Sequence, residues 1–437
     1  MPCARLETVA VLLLAAAAGR PAQAAGDLHR ADPRRLEQRI LALGRFGANP
    51  EGGVSRVAFS AADVAGREYV VSLMRDAGLA VRIDTAGNIL GRRPGGEPGL
   101  PAILFGSHID SVPGGGNYDG DVGVLGAIEC VELLNAAART TRHPLEVVVF
   151  ADEEGMLLGS KAMSGELAPG SLDERSHSGL AVRDGLRAIG GDPDRIAAAR
   201  RRPEELRAFL ELHIEQGGIL DAQGLDIGVV LGIVGIQWWD VTVEGVANHA
   251  GTTPMDRRKD ALVSAAQLVL AVKRVVTSVP GSQVGTVGRI AAAPGAPNVI
   301  PGRVEMSLEL RDLSAAKIAS LSASIEGEAR AIEAATGTRI AFRRVEATAV
   351  PALTDERIRR LIATAADELG LRHRALPSGA GHDAQDLARV TPTGMIFVPS
   401  AGGVSHSPRE YTSPEQMARG VDVLLRTLLA IDKGALD

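Results

Sequence analysis

Hydrophobic and polar positions follow two periods along the chain, one typical of buried strands and one typical of helices. Residues 101–106 and 145–151 are nearly continuous apolar runs, which favours strands buried on both faces. Residues 61–77 and 121–138 carry apolar side chains at helical spacing. Strands that alternate with helices predict an α/β fold with a mostly parallel central sheet. Further helices are predicted at residues 34–43, 356–369 and the end of the chain, and further strands at 80–84, 209–214 and 393–398.

The middle of the chain has a different order of elements, with residues 303–311 alternating cleanly between apolar and polar positions. The β-α-β-β-α-β order is that of a ferredoxin-like unit. We therefore predict a catalytic domain in two parts, residues 25–235 and 349–437, interrupted by an inserted ferredoxin-like domain at residues 236–348. The series predicted for this insertion is a strand at 239–245, a helix at 257–277, strands at 283–290 and 303–311, a helix at 314–336 and a strand at 338–345.

Residues 1–24 have the features of a secretory signal peptide. A basic start is followed by a short apolar run and then by small residues, with a cleavage site expected after Ala24. The apolar run is too short to span a bilayer, so no stable membrane insertion is expected once the signal is removed. The sequence therefore predicts a periplasmic or secreted protein.

Charge and cysteine content exclude several classes of partner and site. The formal net charge is −6, and no basic block or aromatic-studded basic stripe is present, which argues against nucleic acid as a partner. The cysteines are Cys3 and Cys130, and only Cys130 remains after the expected cleavage. Neither an intrachain disulfide nor a thiolate metal cluster is therefore expected. Without a G-x-S-x-G motif, a serine hydrolase is not favoured either.

The adjacent carboxylates of Glu153 and Glu154 directly follow the apolar run at residues 145–151. Consecutive side chains on an extended backbone point in opposite directions, so the two groups can serve different atoms. A hydrolytic metal site needs this division, because one carboxylate binds the cation while the other handles the protons of the attacking water. Alone, such a pair is more often a solvated strand end.

Further potential metal ligands follow strands or lie in glycine-rich loops. The carboxyl ends of parallel strands meet at one edge of a sheet, so such residues are expected to converge there. Imidazole and carboxylate without thiolate suit zinc, manganese or cobalt, and two ions about 3.5–4 Å apart form the clamp of two-metal hydrolases. One histidine of this kind would more often be a satisfied core residue, but several with matching acids favour a metal site. The candidates are His108, Asp110, Asp119, His213 and His406.

The order of these motifs resembles the amidohydrolase branch of the aminoacylase/carboxypeptidase-like metallohydrolase clan. That branch contains N-carbamoyl-L-amino acid hydrolases, allantoate amidohydrolases and β-ureidopropionases. The motifs span nearly the whole chain after the signal. They are residues 106–112 (GSHIDSV), 118–120 (YDG), 152–155 (DEEG), 211–217 (ELHIEQG), 248–255 (NHAGTTPM), 379–384 (GAGHDA) and 405–408 (SHSP).

The resemblance implies a catalytic domain that holds two divalent metal ions. Glu153 would be the general base that takes a proton from the attacking water, and Asp110 would hold the ring of His108 in the tautomer that binds metal. Asp119 would bridge the two ions. The full ligand set would be His108, Asp119, Glu154, His213 and His406.

The resemblance also implies that the inserted domain is a lid that forms a homodimer. His249 would then reach the active site across the dimer and stabilise the oxyanion of the tetrahedral intermediate. Taken without the family, His249 would more simply be a turn histidine before Pro254.

For the substrate, the resemblance implies a small molecule that carries a carboxylate. Arg311 and Asn298 would grip that carboxylate, since a guanidinium offers a planar two-pronged donor. Gln216 is associated with carbamoyl-type substrates, and Gly381 and His382 would line the same pocket. Without the family, a surface pairing of Arg311 with a neighbouring acid would be equally reasonable.

One departure from the family pattern narrows the range of expected substrates. Allantoate-type relatives carry arginines just before the first lid strand, where this chain has Trp238 and Trp239. The sequence therefore favours metal-dependent hydrolysis of an amide or ureide C–N bond in an N-carbamoyl-L-amino acid. The alternatives with the same metal site are an allantoate amidohydrolase, an aminoacylase and a dipeptidase. A non-catalytic protein that captures carboxylate ligands is the alternative from another class.

Overall fold

The structure is a computed structural model that describes residues 29–345 and 349–437. The predicted signal peptide, residues 1–24, lies outside the described residues, and so does the end of the predicted insertion at residues 346–348.

The described residues form sixteen strands and twelve α-helices. The strands are β1 (Ala80–Ile83), β2 (Ile89–Arg93), β3 (Ala102–His108), β4 (Leu145–Phe150), β5 (Leu206–Ile214), β6 (Ile227–Ile233), β7 (Gly235–Glu244), β8 (Asn248–His249), β9 (Val284–Thr286), β10 (Ile290–Ala293), β11 (Val299–Ile300), β12 (Arg303–Asp312), β13 (Arg339–Arg344), β14 (Ala352–Leu353), β15 (His373–Ser378) and β16 (Thr393–Val398). The helices are α1 (Pro33–Leu43), α2 (Ala61–Asp76), α3 (Asp121–Ala136), α4 (Glu153–Met156), α5 (Leu158–Ser164), α6 (Val182–Ala188), α7 (Ile219–Gln223), α8 (Ala261–Ser278), α9 (Ala315–Thr336), α10 (Glu356–Glu368), α11 (Asp383–Leu387) and α12 (Pro414–Asp432).

The central sheet has nine strands in the order β1-β2-β4-β3-β5-β16-β6-β14, with β15 paired to β6. Its middle strands β4, β3, β5 and β16 run parallel, whereas β2 and β6 pair with them in the antiparallel sense. The predicted mixed α/β fold with a mostly parallel centre is confirmed. The apolar runs that predicted β3 and β4 are buried along their whole length.

Helices cover both faces of the central sheet. Helices α3, α10 and α12 pack on one face, with α1 against α3 and α12, and α5 and α11 pack on the opposite face. Gly123 lets α3 approach β5 closely, because a Cβ at this position would lie 2.2 Å from the carbonyl oxygen of Leu212. The packing brings the start of α3 beside the carboxyl ends of β3 and β5.

A second sheet has the order β10-β12-β7-β13, with β9 also paired to β12. All of its pairs are antiparallel, and α8 and α9 pack on one face. The alternation of apolar and polar residues predicted for β12 is confirmed, since residues 304, 306, 308 and 310 are buried in the core of the second sheet. By length and hydropathy alone α8 could cross a membrane, but 39% of it is buried inside the structure, where it contacts α9, β7 and β12.

Two predicted elements of the middle segment were wrong in detail. The single strand predicted at residues 283–290 is divided into β9 and β10. The helix predicted from residue 257 begins at Ala261, because the side chain of Asp260 accepts hydrogen bonds from the backbone N–H groups of Leu262 and Val263 and so caps it. Strands β2 and β6 were not predicted.

Candidate active site

The carboxyl ends of the parallel strands carry the buried histidines of the site. His108 is the last residue of β3, and His213 is the next-to-last residue of β5. The two side chains are 1% and 0% exposed, and their ring centroids are 5.8 Å apart. Adjacent parallel strands therefore deliver both histidines to one edge of the sheet, as the sequence predicted.

Asp119 lies between two groups of potential ligands. Its Oδ1 is 3.0 Å from Nε2 of His213 and 3.6 Å from Nε2 of His108. Its Oδ2 is 3.2 Å from Nε2 of His406, which is 3.4 Å from Oε1 of Glu154. One carboxylate thus faces His108 and His213 with one oxygen and His406 and Glu154 with the other. The predicted set forms two groups of metal-ligand spacing, His108–Asp119–His213 and Asp119–Glu154–His406.

The donor atoms fit divalent ions. Nδ1 of His108 lies 3.0 Å from the carbonyl oxygen of Asp110, and Nδ1 of His213 lies 2.9 Å from that of Ile214. A hydrogen on each Nδ1 would donate to these carbonyls and leave a lone pair on each Nε2 for a metal ion. Nε2 of His213 also lies 3.3 Å from the N–H of Gly120. Nε2 of His108 is buried without a hydrogen-bond partner among the described residues. Such an atom beside several carboxylates is explained by a cation, and its nitrogen and oxygen neighbours suit zinc, manganese or cobalt.

Glu153 and Glu154 reach the site through a sharp turn after β4. Asp152 has a left-handed backbone conformation (φ 55°, ψ 49°) that starts the short helix α4. The carboxylate of Asp110 then accepts hydrogen bonds from the backbone N–H groups of Glu153 (3.2 Å) and Glu154 (3.1 Å). Oε2 of Glu153 lies 3.6 Å from Nε2 of His108. Asp110 was predicted to hold the His108 ring in the tautomer that binds metal, and its carbonyl oxygen lies closer to Nδ1 of His108 than its carboxylate, which is 3.7 Å away.

Burial changes the acidity of both glutamates. It raises the pKa of Glu153 well above its usual range, and the nearby His108 only partly opposes this shift. Burial likewise raises the pKa of Glu154 to about 7, with the charge of Asp119 adding to the effect. A raised pKa makes a carboxylate a stronger proton acceptor, which is the property that a general base needs.

Gln216 lies inside the ligand group. Its Nε2 donates to Oδ2 of Asp119 at 2.6 Å and is 3.3 Å from Nε2 of His406. Its backbone has a positive φ of 56°, and its N–H donates to Oγ of Ser400. The amide of Gln216 is therefore held by contacts with Asp119 and His406.

Glu410 was not predicted. It is 5% exposed, and its Oε1 accepts hydrogen bonds from the backbone N–H groups of Tyr118 (2.9 Å) and Asp119 (3.1 Å). Its Oε2 accepts from Oγ of Ser405 (2.8 Å) and from the N–H of His406 (3.3 Å). The only signal in the sequence was a glutamate four residues after His406, a spacing too common to single it out.

Arg311 links the second sheet to the loop that follows β15. Its Nη1 donates to the carbonyl oxygen of Gly379 at 2.7 Å. Its Nε and Nη2 donate to the two oxygens of Glu309 at 2.7 and 3.1 Å, and the indole N–H of Trp238 also donates to Glu309. Three of the five N–H donors of Arg311 are used in this way, and one on each terminal nitrogen stays available.

The loop that begins at Gly379 also carries Gly381 and His382. The ring of His382 is buried and packs edge-on against His213, with centroids 4.5 Å apart. Its Nε2 is 2.8 Å from Oγ of Ser378, whereas its Nδ1 has no partner in the part of the chain that the structure describes. Both residues thus lie near the predicted metal ligands.

His249 and Asn298 lie together but apart from the other site residues. A two-stranded ribbon pairs β8 with β11, and the N–H of Ala250 donates to the carbonyl oxygen of Asn298. His249 is exposed, and its Nδ1 accepts from the N–H groups of Gly251 and Thr252. Within residues 29–345 and 349–437, no hydrogen bond joins His249 to the ligand groups around Asp119.

Comparison with known proteins identifies the family. A model described as "Peptidase family M20/M25/M40" matches residues 104–430, a range that contains both ligand groups. The chain belongs to this family. The resemblance predicted from the motifs is confirmed.

Curated relatives and solved structures match this M20 family member over nearly its whole length. An "N-carbamoyl-L-amino acid amidohydrolase" of Geobacillus stearothermophilus is 42% identical over 405 residues, 92% of this chain and 98% of that protein. A "ureidoglycolate hydrolase" of Arabidopsis thaliana is 40% identical, over 91% of this chain and 86% of that protein. The crystal structure of an amidase of the hydantoinase/carbamoylase family from Burkholderia multivorans has a TM-score of 0.87 at 36% identity, and the match covers 92% of this chain and 98% of that one.

Proposed function

We propose that this protein is a metal-dependent amidohydrolase that cleaves a C–N bond of N-carbamoyl-L-amino acids. The observation that carries the proposal is the placement of Asp119 between two ligand groups, with the carboxylate of Glu153 3.6 Å from His108. The relatives named above act on carbamoyl or ureido acids according to their names, which supports this substrate class.

Five side chains would hold two divalent ions, zinc, manganese or cobalt, and these ions would polarise the substrate carbonyl and lower the pKa of the attacking water. The residues are His108, Asp119, Glu154, His213 and His406.

Glu153 would handle the protons of the reaction. It takes one proton from water as the oxygen attacks the carbonyl carbon, and it returns this proton to the nitrogen as the C–N bond breaks. Asp110 keeps the backbone of Glu153 in place through the hydrogen bond that it accepts from the Glu153 N–H. His249 would donate to the developing oxyanion, and it would have to come from a partner subunit or after a movement of the ribbon that carries it.

Arg311 and Asn298 would receive the carboxylate of the substrate. The two N–H donors of Arg311 that remain available are sufficient for one carboxylate. Gln216, Gly381 and His382 would surround the other end of the substrate. The exposed indole of Trp238 shares Glu309 with Arg311, so an apolar ring rather than a further cation stands beside the proposed carboxylate site. Allantoate also has one carboxylate but carries a second, polar ureido group, so an apolar ring beside the site favours N-carbamoyl-L-amino acids over allantoate.

We also propose that residues 236–348 form a ferredoxin-like lid and dimerisation domain between two parts of a catalytic domain, residues 25–235 and 349–437. The strand order of the second sheet and its separate hydrophobic core support this division. We further propose export to the periplasm or the medium, on the pattern of residues 1–24. Intact-mass analysis of exported protein would contradict cleavage if those residues were retained.

A substrate panel tests the proposed function. Metal-loaded protein is incubated with N-carbamoyl-L-amino acids, allantoate, ureidoglycolate, N-acetyl amino acids and dipeptides, and the release of ammonia or amine is measured. We expect release from N-carbamoyl-L-amino acids and its loss after chelation, with recovery when zinc or manganese is returned. Release only from dipeptides or acetyl compounds would overturn the proposed substrate class. Release that survives full removal of metal would overturn the metal dependence.

A further inference from the structure

The two ligand groups are held by different kinds of structure. His108 and His213 are buried at the ends of neighbouring strands, and each ring is oriented by a backbone carbonyl oxygen. These positions cannot shift without a change in the central sheet. The group that contains them is therefore preorganised for an ion.

His406 belongs to a less rigid segment. It lies outside the helices and strands, has a positive φ of 50°, and its side chain is 47% exposed. A positive φ is uncommon for a residue other than glycine and needs support from its surroundings. Its partner Glu154 belongs to the four-residue helix α4 rather than to a long element. The Asp119–Glu154–His406 group thus depends on two short segments.

Glu410 supplies the support for the His406 segment. Its two oxygens join the N–H groups at residues 118 and 119 to the hydroxyl of Ser405 and the N–H of His406. The hydroxyl of Ser405 also lies 3.2 Å from Oδ2 of Asp119. One buried carboxylate thereby holds the loop of Asp119 and the loop of His406 together.

The surroundings of Glu410 are closely fitted to its carboxylate. A Cβ at Gly116 would lie 2.1 Å from Oε1 of Glu410, so the chain passes directly over this group. The four donors around Glu410 come from two loops that are nearly three hundred residues apart in sequence. A neutral amide at this position could accept from these donors with only one of its two head-group atoms.

We propose that the two ion positions are unequal, that the position completed by His406 is the weaker one, and that Glu410 is the positioning residue that sets its affinity. This inference rests on the proposed function only in requiring that both groups bind a divalent ion. It does not depend on which substrate is hydrolysed. Loss of a residue that orients metal ligands typically lowers metal affinity by about 10–100-fold.

Equilibrium dialysis of the full chain against buffered zinc tests the inference, with bound metal counted by atomic emission. For the unaltered protein we expect two ions with distinct dissociation constants. Glu410→Gln should raise the weaker constant by about 10–100-fold and change the tighter one by less than about threefold. His406→Ala should remove the weaker ion and retain the tighter one. Glu415→Gln, an exposed glutamate in the first turn of α12, is the matched control and should change neither constant.

Several outcomes would overturn the inference. It fails if the two ions bind the unaltered protein with equal affinity, if Glu410→Gln weakens both positions alike, or if His406→Ala removes both ions. Binding of one ion or none by the unaltered protein would overturn the two-ion site of the proposed function as well. If Glu410→Gln does not fold, Glu410→Asp and Ser405→Ala take its place, and each should weaken the same position by a smaller factor. An equal effect of these variants on both positions would overturn the inference too.

Discussion

At the scale of single residues, Asp110 serves two tasks, one with its backbone and one with its side chain. Its carbonyl oxygen orients His108, and its carboxylate accepts the N–H groups that start α4. Those N–H groups are among the orphan donors of a helix N-terminus, so a carboxylate there is favoured by hydrogen bonding and by charge. The same residue thus positions a proposed metal ligand and the proposed base.

Glu153→Gln tests the role of that base. The amide has nearly the same shape as the carboxylate but cannot take a proton from water, so turnover of an N-carbamoyl-L-amino acid should fall by about 10²–10⁴-fold. Because Glu153 is not among the proposed ligands, the variant should still bind two ions per chain. Initial rates at saturating substrate, together with a metal count on the same sample, provide the measurement. Turnover close to that of the unaltered protein would remove Glu153 from the role of base.

At the scale of elements, the sequence predicted those parts of the site that local pattern controls. β3, β4 and β5 are apolar runs with polar residues at or just after their carboxyl ends, so their identity and their shared edge followed from period and chain direction. Glu410 could not be predicted in this way, because its contacts join loops that only tertiary structure brings together. The short strands β9 and β10 were merged for a related reason. Each of these two strands pairs separately with β12, and this pairing sets the break between them. The local sequence pattern does not encode such pairing.

Gly123→Ala tests how tightly α3 must pack against the strands that carry the histidines. The added methyl would lie 2.2 Å from the carbonyl oxygen of Leu212 and 2.7 Å from Cβ of Ser107, so the helix must move away from β3 and β5. We expect the free energy of unfolding to fall by about 1–3 kcal/mol and zinc to bind more weakly. Urea denaturation and zinc dialysis measure the two effects.

Gly327→Ala is the control for Gly123→Ala. Gly327 lies in α9, where a Cβ would meet only the flexible end of Arg330 at 3.8 Å. Alanine should therefore stabilise the protein by about 0.4–1 kcal/mol with no effect on zinc. Equal stability of the two variants would contradict the proposed tight packing of α3.

At the scale of the whole molecule, the proposed site draws on residues from both sheets. Arg311 reaches the loop of Gly379 and His382, so the second sheet contributes a residue next to the ligand groups. His249 and Asn298 lie on a ribbon that makes no such contact among the described residues. His249 is exposed, as expected of a residue that acts in the active site of a second subunit.

A mixed dimer tests that role of His249. Two differently tagged chains, one with Glu153→Gln and one with His249→Ala, are co-expressed, and the heterodimer is isolated through both tags. If His249 acts across a twofold dimer, one site combines both changes and the other combines neither, so the heterodimer should have about half the specific activity of the unaltered dimer. Each parent homodimer should be nearly inactive, since every one of its sites carries a change. If His249 instead acts within its own chain, each site of the heterodimer carries one change, and activity as low as that of the parents would reject the exchange between subunits.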